Sequence, residues 1–167
     1  TIAQGSVTVT FSVTDDHFGS PEPVENASID VAGVASGVQT LGNGENTLSV
    51  PVNDQYDVTV TKAGYETTTE RLSVDEERTS LNATIRRTPA ISIGALADQV
   101  IVGQNNRINV TDEYGTPVRN ATIAIDGETV GRTDESGELT FAIESEGDHT
   151  VTANAEGLEA TATIEAF

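Results

Sequence analysis

The sequence predicts an all-β protein made of two antiparallel β-sandwiches in tandem, residues 1–88 and 89–167. Three observations carry that expectation: an internal repeat, a hydrophobic period of two, and turn-forming clusters at regular intervals. Residues 13–33 read V-T-D-D-H-F-G-S-P-E-P-V-E-N-A-S-I-D-V-A-G, and residues 110–127 read V-T-D-E-Y-G-T-P-V-R-N-A-T-I-A-I-D-G. Each opens on an acidic turn bearing Gly and Pro and continues into Pro-Val-x-Asn-Ala-Ser/Thr-Ile. Farther on, Gly44-Glu45 matches Gly137-Glu138, the run from Tyr56 matches the run from His149, and Gly64-Tyr65-Glu66 matches Gly157-Leu158-Glu159. A repeat with so little slippage means two copies of one supersecondary unit.

The strands follow from alternation. Val7, Val9, Phe11 and Val13 alternate with Ser6, Thr8, Thr10 and Ser12, the pattern of a strand with one buried face. Tyr56/Val58/Val60 and Leu81/Ala83/Ile85 repeat it in the first copy. Ile108/Val110, Ile123/Ile125, Leu139/Phe141/Ile143, Val151/Ala153 and Ala160/Ala162/Ile164 do so in the second. Between them lie Gly42-Asn43-Gly44, Val52-Asn53-Asp54, Asp126-Gly127 and Asp134-Glu135-Ser136-Gly137, residues that favour turns. Abundant Thr favours strand over helix, and no stretch has helical amphipathicity. Short strands with regular turns in a module this size indicate a sandwich. Arg86-Arg87-Thr88-Pro89-Ala90 reads as a short, stiff joint, because Pro restricts its own φ and its predecessor. The arginine pair either anchors onto acidic loops or is simply solvated.

Charge is the second strong signal. Twenty-seven acids face eight bases, giving −19, and Lys62 is the sole lysine. The first module holds 13 acids and 5 bases, the second 14 and 3, so the excess belongs to both. So uniform an excess repels itself in dilute buffer, whereas molar salt shortens the Debye length to about 3 Å and screens it. The pattern predicts an extreme halophile, of archaeal origin; an ordinary acidic surface protein is the plainer alternative. Nucleic acid and anionic membrane surfaces are poor partners for this charge. No apolar stretch reaches the ~18 residues of a membrane-spanning helix. The chain opens on Thr1 with no leader before it, which reads as a mature or excised piece of something longer. The absence of Cys excludes disulfide and thiol chemistry.

The run V-T-D-E-Y-G-T-P-V-R-N-A-T-I, followed by G-R-T-D-E-S-G-E-L-T-F and G-D-H-T-V-T-A, resembles the Ig-like and carboxypeptidase regulatory-like (transthyretin-like) superfamily of extracellular sandwiches. Y-D-V-T-V-T-K-A-G-Y-E in the first copy is similar to that family's strand-and-turn ending. The resemblance spans residues 5–85 and 91–167. It implies two Ig-like/transthyretin-like β-sandwiches serving as spacer, adhesion or surface-assembly modules, or as accessory domains of an exported hydrolase. Some related modules carry a Lys–Asn/Asp isopeptide bond. The second module has no Lys, and Lys62 precedes the Gly64-Tyr65 turn, where the bond-forming lysine is not expected.

No catalytic constellation is visible. His17 lies in a turn, and His149 replaces Tyr56 of the first copy at a strand-edge position that accepts an aromatic-like shape. Asp15-Asp16, Asp112-Glu113 and Asp134-Glu135 with Glu138 offer oxygens for a cation such as calcium. EF-hand spacing is missing, and loosely held salt ions account for them equally. Sequons occur at Asn26, Asn82, Asn109 and Asn120, with Asn26 and Asn120 equivalent in the two copies. Phe18, Tyr65 and Tyr114 are the aromatics available to an adhesin-type glycan or protein site. The expectation is a non-catalytic, extracellular or cell-surface spacer without cofactors, whose partners are other surface proteins or glycans.

Overall fold

The structure, a computed structural model, describes residues 4–167. All its regular elements are strands, and the chain divides into two compact units at the Thr88/Pro89 junction. The first unit contains β1 (Ser6–Asp15), β2 (Glu22–Pro23), β3 (Ser28–Val31), β4 (Ala35–Gln39), β5 (Glu45–Pro51), β6 (Asp54–Thr61), β7 (Thr68–Val74) and β8 (Thr79–Thr84). One sheet has β1 at its centre, antiparallel to β2 and β5 and parallel to β8. The other runs β4-β3-β6-β7 and is antiparallel throughout. The alternation of β1 delivers Val9, Phe11 and Val13 to the interior, where they meet Ile29, Val31, Val58, Val60, Leu72 and Val74. Both sheets thus bury one face against a single core.

The second unit contains β9 (Ile91–Gly94), β10 (Gln99–Val100), β11 (Asn105–Asp112), β12 (Thr122–Ile125), β13 (Glu128–Arg132), β14 (Glu138–Ala142), β15 (Gly147–Ala155) and β16 (Leu158–Ala166). Its sheets are β14-β11-β9 and β10-β16-β15-β12-β13. Ile108, Val110, Ile123, Phe141, Val151, Ala153 and Ile164 form its core. The fold is the all-β, Ig-like sandwich that the alternation predicts.

Two features were not announced by the sequence. The first and last strands of the first unit, β1 and β8, are parallel neighbours, with Val9 opposite Thr79 and Thr14 opposite Thr84. In the second unit, the corresponding flank of β11 is filled by the antiparallel strand β9, which precedes it in the chain. The expected joint also begins later than its composition suggests. Glu66 N donates to Arg86 O at 2.8 Å and Thr88 N to Gly64 O at 2.9 Å, so residues 86–88 are stitched to the 64–66 turn. Arg86 reaches Asp16 at 3.0 Å, and the Arg87 guanidinium lies 6.0 Å from the Tyr65 ring centre. Both arginines therefore anchor on the first unit.

The repeated sequence makes repeated turns. Val13 N donates to Gly44 O at 2.8 Å, and Val110 N to Gly137 O at 2.8 Å. Val24 N bonds Val13 O, and Val118 N bonds Val110 O, both at 2.9 Å. Gly44 and Gly137 sit at φ 74° and 71°, where a Cβ would come within 2.8 Å of Val13 O and 2.5 Å of Val110 O. Glycine is demanded there twice over, by the dihedral and by the close approach.

Candidate functional site

The most chemically distinctive group is one that the sequence reading passed over. Asp126 is in the left-handed region (φ 49°) in the turn between β12 and β13, and His149 is near the start of β15. His149 Nδ1 lies 2.6 Å from Asp126 Oδ2, and Nε2 lies 2.9 Å from the Ser145 carbonyl oxygen. The second Asp126 oxygen accepts the Thr150 N–H at 2.8 Å. Asp126, Ser145 and His149, together with Ile125, Glu128 and Val130, line a shallow groove of ≈ 240 Å³.

Ser145 Oγ stands 3.5 Å from His149 Nε2, so serine, histidine and aspartate occur together as in a hydrolase. The polarity is wrong for catalysis. A carbonyl oxygen and a carboxylate both only accept, so each ring nitrogen must carry a hydrogen. With both ring nitrogens committed to acceptors, neither is presented to Ser145 Oγ as a base. The hydrogen bond from Asp126 chiefly, then that of the Ser145 carbonyl, raises the pKa of His149 above its usual value, against the effect of burial. Asp126 is lowered by the His149 hydrogen bond first and the Thr150 N–H second. The group is a clasp that ties the β12–β13 turn to the loop ahead of β15.

The first unit makes the same closure with different chemistry. Tyr56 Oη donates to Pro51 O, five residues back, at 2.9 Å; His149 reaches four residues back. Burial, and then the Asp54 charge, raises the pKa of Tyr56. Ala32 N bonds Asp57 O at 3.0 Å where Asp126 N bonds Thr150 O at 2.9 Å. Ala32 with Tyr56 in one copy thus corresponds to Asp126 with His149 in the other. That paired exchange is the signal in the sequence that points to the clasp. His149 is not merely a tolerated aromatic shape.

The acidic turns have structural work. Asp112 Oδ1 accepts the Tyr114 and Thr116 N–H groups at 2.9 and 2.8 Å, and Asp134 Oδ1 those of Ser136 and Glu138 at 2.8 and 3.0 Å. Asp15 Oδ1 accepts the His17 N–H at 3.0 Å. These are Asx-type turns, in which the carboxylate substitutes for a backbone acceptor. Glu113 accepts the Ala90 N–H at 3.1 Å, and Glu135 pairs with Arg119 at 3.4 Å across exposed surface. Among the described residues no three His, Asp or Glu side chains are gathered as a metal site.

The sequons divide. Asn26 and Asn120 are exposed at turn positions with φ 53° and 59°, and Asn82 is exposed on β8. Asn109 is half-buried in β11, and its Oδ1 is buried without a hydrogen-bond partner, packed into the space a Cβ on Gly94 would take. The aromatics do not assemble into a platform. Phe18 is 60% exposed beside the His17 ring, while Tyr65 is flanked by Lys62 and Arg87. Tyr114 is half-buried in the second unit. Lys62 Nζ is directed at the Glu25 carbonyl.

The chain matches no protein-family model and no curated protein. Its fold is shared with solved structures. The major pilin subunit BcpA of Bacillus cereus is similar with a TM-score of 0.56 at 11% identity, over 98% of this chain and 69% of that one. An aspartate-to-alanine variant of that subunit gives 0.58 at 11% identity, over 97% and 69%. The shaft pilin SpaA of Lactobacillus rhamnosus GG aligns over 98% of this chain and 93% of its own, at 13% identity and a TM-score of 0.39. At such identities the likeness to BcpA is one of fold.

Proposed function

We propose that this chain is a non-catalytic structural module of a cell-surface or appendage assembly, holding other domains at a distance from the envelope. The observation that carries the reading is the pairing of a pilin-like sandwich fold with a duplicated framework of turns and cores. Among the described residues, the histidine-centred group in a groove has both ring nitrogens tied to acceptors, which supports a structural reading over a catalytic one. The charge of −19, distributed over both units, supports service in brine, where carboxylates keep the surface hydrated and their repulsion is screened. N-linked glycans fit Asn26, Asn82 and Asn120, whose side chains face solvent, and do not fit Asn109.

Antibody labelling of intact cells of the source organism, followed by peptide mass mapping of the released protein, tests this. Surface labelling with glycan mass on the exposed sequons is expected. Labelling that appears only after lysis rejects the surface role, and a glycan on Asn109 rejects the sorting of sequons.

A further inference from the structure

We infer that the first unit carries tension through a parallel clamp between the strand by which the chain enters its sheets and the strand by which it leaves, and the second through a shorter parallel pairing of its leaving strand. The use of that property rests on the surface-spacer reading; the clamp itself rests on the strand ladders.

In the first unit the entering strand is β1 and the leaving strand is β8. They are adjacent and parallel from Val9↔Thr79 to Thr14↔Thr84, and Ile85 N extends the ladder to Thr14 O at 2.9 Å. A pull applied ahead of β1 and beyond β8 acts on opposite ends of that ladder. The two strands must slide past one another, so the hydrogen bonds between them are loaded together. An antiparallel pair in the same place would present both pulled ends side by side, and its bonds would open one after another. Sliding is further opposed by Val9, Phe11 and Val13 on β1 and by Ala83 and Ile85 on the leaving segment, all buried in the core. Beyond β8, residues 86–88 are fastened again to the 64–66 turn.

In the second unit the chain enters by β9, and the parallel partner of the leaving strand β16 is the next strand, β10, with fewer bonds. β10 and β16 are parallel at Gln99↔Glu165 and Val100↔Ala166. Glu165 N donates to Asp98 O at 2.9 Å, Phe167 N to Val100 O at 3.1 Å, and Val102 N to Phe167 O at 3.1 Å. A Gln99–Glu165 side-chain bond of 2.7 Å lies across it. Tension passes through both units in series by chain connectivity, so the shorter clamp yields first. Rupture under force is a rate, set by the unfolding barrier rather than by equilibrium stability. Pulling direction therefore changes it while the folded state stays the same.

The experiment is single-molecule pulling of the full chain in high salt, first through its two ends. Two ruptures are expected, each releasing about 3.5 Å per freed residue. The shorter step, from the second unit, comes first, and the longer step follows at higher force. The chain has no Cys, so Asp54→Cys supplies a unique handle. Pulled between that handle and the N-terminus, β1 and β5 are loaded at their adjacent ends, Ser6 and Pro51, and peel apart. The first unit is expected to open at a several-fold lower force in this geometry, with an unchanged urea midpoint in bulk. A second handle, Gln55→Cys, replaces the first if that variant fails to fold. Equal forces in the two geometries, or a first unit that extends before the second, would overturn the clamp. Either result leaves the surface labelling untouched, and a failure of labelling leaves the forces untouched.

Discussion

Thr40 and Thr133 occupy the same place in the two units and make the same two hydrogen bonds. Thr40 Oγ1 accepts the Ala27 N–H at 3.0 Å and donates to Val24 O at 2.6 Å. Thr133 Oγ1 accepts the Ala121 N–H at 2.9 Å and donates to Val118 O at 2.6 Å. Both threonines are buried, so one hydroxyl per unit satisfies two backbone groups in or beside the core.

Replacing either threonine by Val keeps the shape and strands both partners. Each Thr→Val change is expected to destabilise its own unit by about 1–3 kcal/mol, and Thr→Ser by less. Urea denaturation of each variant reads the difference. A neutral Thr40→Val would mean that Ala27 and Val24 have another source of hydrogen bonds.

Gly137→Ala meets both a left-handed backbone and a carbonyl oxygen 2.5 Å from the new Cβ. The dihedral alone costs about 1–2 kcal/mol, and the contact adds to it. Gly127→Ala has the dihedral, at φ 86°, with open space around the new methyl group. Thermal melts should therefore rank Gly137→Ala well below Gly127→Ala, and an equal loss would mean that the Val110 strand can give way.

The clasp makes the second unit sensitive to pH. Folding raises the pKa of His149 above 6.5 and lowers that of Asp126 below 3.8. The histidine's contribution is whole below 6.5 and is lost as pH rises through its raised folded value. The aspartate's is whole above 3.8 and is lost as pH falls through its depressed folded value. The second unit should thus lose melting temperature as pH rises above 6.5 and through the raised folded value of His149. His149→Tyr, the residue of the first copy, should flatten that slope. A slope that survives the substitution would have to come from other groups.

Salt should act on both units. Far-UV circular dichroism from dilute buffer to about 3 M salt is expected to show β structure strengthening as like charges are screened. Equal stability throughout would remove the brine assignment and direct attention to cationic partners.

How much was legible depended on range. β1, β6 and β15 were written in their alternation, and the Asp-Gly turns in their composition, because both are local. β4 and β13 are short and lack a clean alternation; β4 reads A-S-G-V-Q and exposes most of its residues. The β1–β8 pairing joins Val9 to Thr79, and nothing in either strand alone specifies direction or neighbour. The clasp needed two positions in different turns to be read together, Asp126 and His149. The acidic pairs looked like ligands because carboxylates that close turns and carboxylates that hold ions share one spelling.

The different fillings of the same flank have a consequence for synthesis. A chain emerging from the ribosome presents β1 long before Thr79 exists, so the flank of β1 stays bare until the unit is nearly complete. Long-range parallel pairing of this kind folds slowly and leaves an aggregation-prone edge in the interval. In the second unit β9 is already at hand when β11 appears, so Val110 finds Ile93 without delay. The flank of β1 in the nascent first unit is accordingly the one that stays open longest, whereas the flank of β11 is covered from the start.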